Sequence, residues 1–572
     1  MVRSRRPAGG PRRSPGGVVH RPPCRRQRLP RDPRRHEPDP GRGRLDRPDR
    51  DGLELRGWLR ARLPGQRGAH RSARHAGSRR LRADHDRAAG DGQRRPSRRA
   101  ERGRRVSRGR LAVHAHFYQP LRIDPWTGEV PAEPSAAPFH DWNHRVDAEC
   151  YRPNAERGSL AHISWNLGPT LAGWLAVEDP ATYRRFVAES AAAIAQPFHH
   201  SILPLASAAD RRTEIRWGIR DFEIRFGRRP AGLWLPETAV DLATLRDAEA
   251  EGIEFTILAP WQAATSGIDT RRPYRVELGD DRTIVVVFYD GGLSASASFE
   301  PEATADADRF ARERVAPRLG GGPEPLESPI ALIATDGELY GHHRQFRDLF
   351  LQRLVVPGAA TEDRSFDVVT VDQIVAEPAD HPHPAIRIAE RTSWSCHHGV
   401  ARWSAECPDA ADGRWKGPLR AAFERLAGAI DVVTSTAFAA LPGDADPEAA
   451  RDAYVDVVVG RITAADFASQ CWPTADDRAR RRALDLLEAQ RWRLAMFASD
   501  GWYWDDPIRP ETRQVLRAAG RAARLVDREG TQIERRLVAD LELLTSPSRG
   551  LDGAAIYRMA LADVDQPPPA DH

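Results

Sequence analysis

From about Leu111 onward, short apolar runs alternate with stretches whose apolar residues recur at helical spacing. Short apolar runs bounded by turn residues are typical of buried strands. We therefore predict strands over Leu111–His116, Ala231–Leu235, Ile253–Ala259, Ile284–Tyr289, Pro329–Thr335 and Phe366–Thr370.

Helical patterns separate several of these runs. Thr213–Phe226 places apolar residues on one face and is followed by Gly227, and Asp241–Glu251 is followed by Gly252. Val371–Ala376 begins another helix. A strand, helix and strand in succession form a right-handed unit with parallel strands. The pattern therefore predicts an α/β fold, either a β/α barrel or a doubly wound sheet.

After about Ile388 the strand pattern stops. Segments rich in Ala, Leu and Arg at helical spacing follow, and we predict helices over 417–442, 447–470, 476–499, 511–527 and 530–546. We expect four parts in the chain: a disordered segment 1–110, a barrel 111–388, a helical domain 389–564 and a disordered tail 565–572.

Charge is divided unevenly along the chain, although the whole carries a formal charge of only +5. Residues 1–110 contain 35 arginines against 11 acidic residues, so the remainder is acidic. Arginine-rich arms bind nucleic acid by displacing counterions from phosphates. This segment has few aromatic residues and no periodic pattern, so we interpret it as a disordered or wrongly started segment, and we expect no nucleic acid partner.

Five cysteines are too few and too irregularly spaced for a disulfide framework, which favours a reducing compartment. No apolar run is long enough to span a bilayer. We therefore expect a cytoplasmic protein without a membrane partner.

Two acidic residues stand directly after predicted strands, Glu237 after Ala231–Leu235 and Asp336 after Pro329–Thr335. In a barrel the C-terminal ends of the strands meet on one face, so both carboxylates are expected in one cleft. A pair of carboxylates is what cleavage of a glycosidic bond requires. The alternatives are ordinary, because Glu237 also suits a helix N-terminus and Asp336 suits a turn before Gly337.

Four segments resemble, in order, the signature motifs of glycoside hydrolase family 57. They are HAHFYQP (114–120), HSILPL (200–205), WLPE (234–237) and DGELYGH (336–342). Ser201 departs from the family pattern, in which proline commonly follows the histidine of the second motif. The resemblance extends over about 111–527 and narrows to a subgroup with a C-terminal domain of unknown function.

This resemblance implies an incomplete seven-stranded β/α barrel and a retaining enzyme that acts on α-linked glucans or related oligosaccharides. It implies that Glu237 is the nucleophile and Asp336 the general acid/base, with no cofactor and no metal. The partner is then an oligosaccharide or polysaccharide. The residues expected to bind it are His114, His116, Gln119, His200, Trp234, His342, Trp394 and His398.

Two alternative activities remain open at this stage. A branching enzyme or 4-α-glucanotransferase uses the same covalent intermediate and passes the sugar to an acceptor other than water. A metal-dependent deacetylase would instead use a zinc site built from His114, His116, His200, Asp336, His342 and His343. Cys396, His397, His398 and Cys407 are also possible zinc ligands, but adjacent residues cannot all face one ion, so we interpret this cluster as structural.

Overall fold

The computed structural model describes residues 108–360, 364–376, 383–442, 446–527 and 532–565. The expected disordered segment 1–110 lies outside the described residues except for its last three positions, and the tail 565–572 lies outside them except for Asp565. The described strands are β1 (Gly109–Phe117), β2 (Ser164–Leu167), β3 (Ala193–Ile194), β4 (Phe255–Leu258), β5 (Tyr274–Gly279), β6 (Arg282–Phe288), β7 (Ile330–Asp336), β8 (Phe366–Val368) and β9 (Ala385–Ile386).

Parallel strands form the barrel. One sheet runs β3-β2-β1-β7, with β8 beside the start of β1, and a second runs β4-β6-β5-β9. Leu233 bridges to Ala195 and Gly232 to Phe255, so the segment at 232–233 joins β3 to β4. The amide of Asp290, just after β6, donates to the carbonyl of Leu332 on β7 at 2.7 Å. In the described chain, seven parallel segments therefore surround a common centre, which confirms the predicted β/α barrel. They are β1, β2, β3, the segment 232–233, β4, β6 and β7.

Most of the predicted strands lie within two residues of their observed ends, with two exceptions. Ala231–Leu235 forms only isolated bridges, at Gly232 and Leu233, rather than a full strand. The strands β2, β3 and β9 were not predicted, and the antiparallel hairpin β5–β6 was only half predicted. Its turn places Asp280 and Asp281 at φ of 54° and 58°, a left-handed pair that short hairpins favour and that aspartate tolerates.

Helices lie outside the barrel strands and predominate in the C-terminal region of the described chain. Up to residue 376 they are Trp142–Val146, Arg152–Glu156, Pro169–Glu178, Pro180–Ala188, Ala208–Phe226, Leu242–Ala250, Gly291–Phe299, Ala307–Phe310, Ala316–Gly320, Arg347–Val355 and Val371–Ala376. Beyond it they are Lys416–Ala439, Pro447–Ala453, Val455–Val458, Ala464–Cys471, Asp477–Ala495, Asp500–Tyr503, Pro510–Val526, Ile533–Leu541 and Gly553–Asp565. π-helical turns at Asp147–Tyr151 and Ala311–Val315 join neighbouring helices.

The helical prediction is confirmed in the C-terminal region, with one predicted helix interrupted twice. The predicted helix 447–470 is three helices. The first interruption is at Tyr454, and at the second Gly460 adopts φ 73° and Thr463 then caps a new helix through a bond from the amide of Asp466. The last helix, Gly553–Asp565, was not predicted.

Two large apolar cores support a division near Ile388, which we keep as a proposal. Leu111, Leu233 and Ile333 belong to the barrel core, whereas Leu419 and Leu516 belong to the core of the C-terminal helices. All described residues nevertheless lie in one compact unit. Among their helices, none combines the length and apolar character needed to cross a bilayer.

Candidate active site

The register of three strands builds the floor of the site. On β1, His116 is paired with Asn166 on β2 and with Asp336 on β7, at the C-terminal ends of all three strands. Parallel pairing brings these side chains to one level of the barrel. The expectation that residues distant in sequence meet on this face is therefore met for His116 and Asp336.

Histidines beside this floor form an ordered hydrogen-bonded chain. Asn166 donates from Nδ2 to Oε1 of Gln196 at 2.5 Å, and its Oδ1 lies 3.1 Å from Nε2 of His114. Nδ1 of His116 lies 2.9 Å from Nδ2 and 3.2 Å from Oδ1 of Asn166, and Nε2 of His116 lies 3.3 Å from Nε2 of His200. Burial lowers the pKa of His114 to about 3 and that of His116 to about 4, so both rings are neutral.

Trp234 supports this chain from behind. Its indole stacks on His114 and His116, with ring centroids 4.7 and 5.1 Å away, and its side chain is 0% exposed. His114 is also fully buried. A fully buried ring has no free face for a sugar, so these two residues position His116 rather than offering a stacking surface.

Glu237 sits on an unusual backbone. Glu237 and Thr238 both adopt left-handed conformations, with φ of 56° and 46°. Such conformations cost about 1–3 kcal/mol each in residues other than glycine and persist only where neighbours hold them. Here Gln262 donates from Nε2 to the carbonyl of Thr238 at 2.7 Å, and the amide of Trp394 donates to the carbonyl of Glu237 at 3.0 Å.

The Glu237 carboxylate receives two side-chain hydrogen bonds on Oε2. Oγ of Ser395 donates at 2.7 Å and Nε1 of Trp394 at 3.1 Å. Burial raises the pKa of Glu237 and the charge of Asp336 adds to the rise, while these two bonds and the charge of Arg402 oppose it. Asp241, not Glu237, caps the following helix, by accepting from the amide of Thr244. The ordinary interpretation of Glu237 as a helix cap is therefore wrong.

Asp336 faces the same cleft with a different environment. The residue is exposed, yet protein surrounds its carboxyl group closely enough that burial raises its pKa to about 6. Although it precedes the short helical turn Gly337–Leu339, its carboxylate makes no capping bond there. The charge of Asp336 acts on the pKa of Glu237, so the two carboxyl groups are electrostatic neighbours.

Glu338, beside Asp336, is a buried group that the sequence did not single out. Its Oε1 accepts from the hydroxyl of Tyr151 at 2.5 Å and from the amide of Tyr118 at 3.2 Å. Burial raises its pKa to about 8, with a contribution from the charge of Asp336, so it is protonated at neutral pH. Gln119, one of the predicted binding residues, donates to the Tyr151 hydroxyl at 3.0 Å and extends this network.

The C-terminal region contributes directly to the site. The hydroxyl of Tyr118 donates to Oδ2 of Asp500 at 2.6 Å, and Oγ of Ser499 lies 2.7 Å from Nδ1 of His200. Burial raises the pKa of Asp500 to about 7, and the charge of Glu237 adds to the rise. Ser201, the departure in the second motif, pairs with Ala498 of the same region.

Two predicted binding residues make their contacts elsewhere. Nδ1 of His342 lies 2.5 Å from a carboxylate oxygen of Glu149, and its ring packs edge-on against Trp142. His398 is exposed and lies 3.2 Å from Oδ2 of Asp409. Their contact with substrate stays a prediction.

The site residues that sequence reasoning missed are of two kinds. Tyr118 and Glu338 lie inside the first and fourth family motifs, so their place in those motifs could have identified them as site residues. Ser395, Arg402 and Asp500 are distant in sequence from Glu237, and only the packing of the C-terminal region places them there.

In the described residues, potential metal ligands gather in two groups, Cys396 with His398, Cys407 and Asp409, and His140 with Asp141 and His144. Neither group contains the histidines or Asp336 that a deacetylase-type zinc site would require. The geometry therefore does not favour the deacetylase alternative.

Comparison with known proteins agrees with this geometry. The profile of glycosyl hydrolase family 57 matches residues 187–388, and that of a domain of unknown function, DUF3536, matches residues 412–564. No curated protein sequence matches the chain.

Solved structures share the fold at low sequence identity. An exo-type maltose-forming amylase from Pyrococcus sp. ST04 is 14% identical, with 79% of this chain and 88% of that chain covered and a TM-score of 0.61. An α-amylase from Thermotoga maritima is 12% identical, with 79% and 99% covered and a TM-score of 0.50. The profiles show that the chain joins a glycoside hydrolase family 57 region, matched over residues 187–388, to a C-terminal domain of unknown function, matched over residues 412–564.

Proposed function

We propose that this protein is a retaining glycoside hydrolase of α-linked glucans or related oligosaccharides, with Glu237 as nucleophile and Asp336 as general acid/base. The observation that supports the roles most directly is the contrast between the two environments. Burial raises the pKa of both groups, but at Glu237 the hydrogen bonds from Ser395 and Trp394 oppose the rise, whereas burial acts alone on Asp336 and raises its pKa to about 6. Paired carboxyl groups whose surroundings differ in this way are suited to opposite roles.

In the first step, an oxygen of ionised Glu237 attacks the anomeric carbon while protonated Asp336 gives its proton to the departing glycosidic oxygen. This forms an ester between the sugar and Glu237 and leaves Asp336 ionised. In the second step, Asp336 takes a proton from a water molecule that attacks the same carbon, and Glu237 departs as a carboxylate. Two inversions give net retention.

The buried histidine chain would hold the substrate side of this site in one arrangement. His116 and His200 are neutral and hydrogen-bonded to each other, and Ser499 and Asn166 hold the two ends of the pair. Groups locked in this way are preorganised, so they do not reorganise during the reaction. We propose that His116 and His200 contact the sugar bound next to Glu237.

The amylases to which the fold is similar motivate the substrate class, and the test must separate linkages. The full chain is incubated with amylose, glycogen, maltooligosaccharides and trehalose, and products are resolved by size and linkage. We expect shorter α-glucans with retained configuration at the new reducing end. Products longer than the substrate, or with new branches, would indicate transfer to a sugar acceptor instead of water.

Variants assign the roles. Glu237→Gln and Asp336→Asn are compared with Glu254→Gln, which changes an exposed carboxylate of the same barrel. A fluorinated glycosyl fluoride, which slows breakdown of the intermediate, is expected to label Glu237 covalently, and mass spectrometry of the peptides identifies the modified residue. If both site variants keep full activity, or if the label appears on another carboxylate, the assignment is wrong.

A further inference from the structure

Outside the catalytic cleft, four side chains of the segment after β9 converge on one point. Sγ of Cys396 lies 3.4 Å from Sγ of Cys407 and 3.3 Å from Oδ2 of Asp409. Nδ1 of His398 lies 3.2 Å from the same Asp409 oxygen and 3.6 Å from Sγ of Cys407. All four donor atoms lie within 4.8 Å of one another.

These separations fit the corners of a zinc tetrahedron. Zinc binds sulfur at about 2.3 Å and nitrogen or oxygen at about 2.0–2.2 Å, so the edges of such a tetrahedron measure roughly 3.3–3.8 Å. The four measured edges, from 3.2 to 3.6 Å, fall in or next to this range. Two thiolates with an imidazole and a carboxylate also form a donor set that zinc favours over harder cations such as magnesium or calcium.

We propose that Cys396, His398, Cys407 and Asp409 form a structural zinc site. The sequence argument against zinc here was that adjacent residues cannot share an ion, and it holds for His397. The fold replaces His397 by Asp409, so that the ligands come in two pairs, each with one residue between its members. Two ligands from each of two short segments are a common arrangement in structural zinc sites.

The surroundings of the cluster suit a metal with anionic ligands. The amide of His397 donates to Oδ2 of Asp409 at 3.3 Å, and Arg402 donates to the Asp409 carbonyl at 2.9 Å. Three anionic ligands around one zinc ion leave a net negative charge, which the guanidinium of Arg402 and the buried ammonium of Lys416 offset. Hydrogen bonds of this kind orient metal ligands and raise affinity.

The position of the cluster suggests what the metal does. Trp394 and Ser395, the two donors to Glu237, directly precede Cys396. A metal that fixes Cys396 therefore restrains the segment that presents both donors. This consequence rests on the proposed function, whereas zinc binding itself does not.

The test begins with metal content. The full chain is expressed with zinc in the medium, dialysed, and analysed by mass spectrometry of the metals, beside the double variant Cys396→Ser/Cys407→Ser. The control is Cys471→Ser, which removes an exposed free cysteine outside the cluster. We expect about one zinc per chain in the parent and in the control and none in the double variant. Zinc-free parent protein, or a double variant that retains zinc, would contradict the proposal.

A second measurement covers the case in which the double variant does not fold. Metal-stripped parent protein is titrated with cobalt(II), and thiolate ligation in a tetrahedral site is expected to give a sulfur-to-cobalt charge-transfer band and intense visible bands. Asp409→Asn should weaken cobalt binding while the charge-transfer band persists. Alkylation of the unreduced parent protein that shows a Cys396–Cys407 disulfide, or a titration without a charge-transfer band, would overturn the zinc site.

Activity separates the inference from the proposed function. Zinc removal is expected to lower kcat and Tm, and zinc addition should restore both. If the parent protein binds zinc but the Glu237→Gln variant keeps full activity, the catalytic assignment is wrong and the zinc site is supported. If the parent protein contains no zinc but Glu237→Gln is inactive, the zinc site is wrong and the catalytic assignment is supported.

Discussion

The two sides of the catalytic cleft are built on different principles. On the barrel side, Asp336, His116 and Asn166 stand at one level because parallel strands are paired in register. On the C-terminal side, Ser395, Arg402 and Asp500 come from loops and short helices. Ser395 donates a hydrogen bond to Glu237, the charge of Arg402 opposes the rise in the Glu237 pKa, and the charge of Glu237 raises the pKa of Asp500. On the proposed assignment, the barrel side thus supplies the reacting carboxyl groups, and the C-terminal region tunes the ionisation of Glu237.

This difference indicates which substitutions should abolish activity and which should only change its rate or pH dependence. A strand end cannot move without breaking a sheet, so the reacting groups are held rigidly. A loop residue that donates to Glu237 can be exchanged without loss of the barrel. Changes on the barrel side should therefore abolish the reaction, and changes on the C-terminal side should shift its rate, pH dependence or stability.

The largest effect is expected on the barrel side, from Asp336→Asn. Loss of a general acid should lower kcat by about 10²–10⁴-fold on natural α-glucans. A substrate with an activated aryl leaving group needs no protonation, so the first step should remain fast and the intermediate should accumulate. Steady-state and burst kinetics on both substrates check this. An equal loss on both would mean that Asp336 does not act as an acid.

A smaller effect is expected on the C-terminal side, from Ser395→Ala. This change removes a 2.7 Å donor to Glu237. Hydrogen bonds to charged groups contribute about 1.5–3 kcal/mol, so kcat should fall roughly ten- to a hundredfold. The pKa of Glu237 should rise further, which moves the acidic limb of the pH–kcat profile to higher pH. The matched control is Ser404→Ala, whose hydroxyl bonds only weakly to the carbonyl of Ala401 at 3.5 Å. An unshifted acidic limb would contradict the tuning role.

This division also explains what the sequence could predict. Strand periodicity placed β1 and β7, and the residues at their C-terminal ends, His116 and Asp336, followed directly. The barrel-side half of the site was therefore accessible from local pattern. The bond from Ser395 to Glu237 spans 158 positions, and Asp500 is more distant still. Such contacts depend on how two cores pack, for which single-sequence periodicity carries no signal.

Local chemistry accounts for the other differences. The segment 231–235 looked like a strand because it is apolar, but the chain reverses into left-handed backbone at Glu237 before a ladder extends. The aromatic Trp234 was expected to face sugar, yet the two histidines of β1 cover it. In both cases tertiary contacts outweighed the local preference.

A third test concerns the link between the two sides, through Asp500→Asn. Burial raises the pKa of Asp500 from 3.8 to about 7, so its folded form holds a proton that the unfolded chain releases. Protonated Asp500 therefore contributes its full stabilisation of the folded state below about pH 4, and this stabilisation is lost as pH rises through 7. Asn keeps an acceptor for Tyr118 without this loss. We expect Asp500→Asn to raise Tm by a few degrees at pH 8 and to leave it unchanged at pH 4.

The control for this test is Asp477→Asn, because the Asp477 side chain is 80% exposed. Calorimetry of both variants at several pH values should show a flatter pH dependence only for Asp500→Asn. An equal pH dependence of Tm in the two variants would mean that Asp500 does not have the raised pKa on which this prediction depends.

The smallest effect is expected from Glu338→Gln, which tests whether a barrel-side residue other than the two catalytic carboxyl groups influences protonation in the site. With a pKa of about 8, Glu338 is already uncharged at neutral pH, and glutamine reproduces a protonated carboxyl in shape and hydrogen bonding. Activity and Tm at pH 6 should therefore stay close to those of the parent protein. Glu338→Ala instead leaves the buried Tyr151 hydroxyl without its acceptor and should lower Tm. A difference between parent and Glu338→Gln should emerge only above about pH 8, where ionised Glu338 repels Asp336. A large loss at pH 6 in Glu338→Gln would mean that Glu338 is charged in the working enzyme, and that the barrel side tunes protonation as well as supplying the reacting groups.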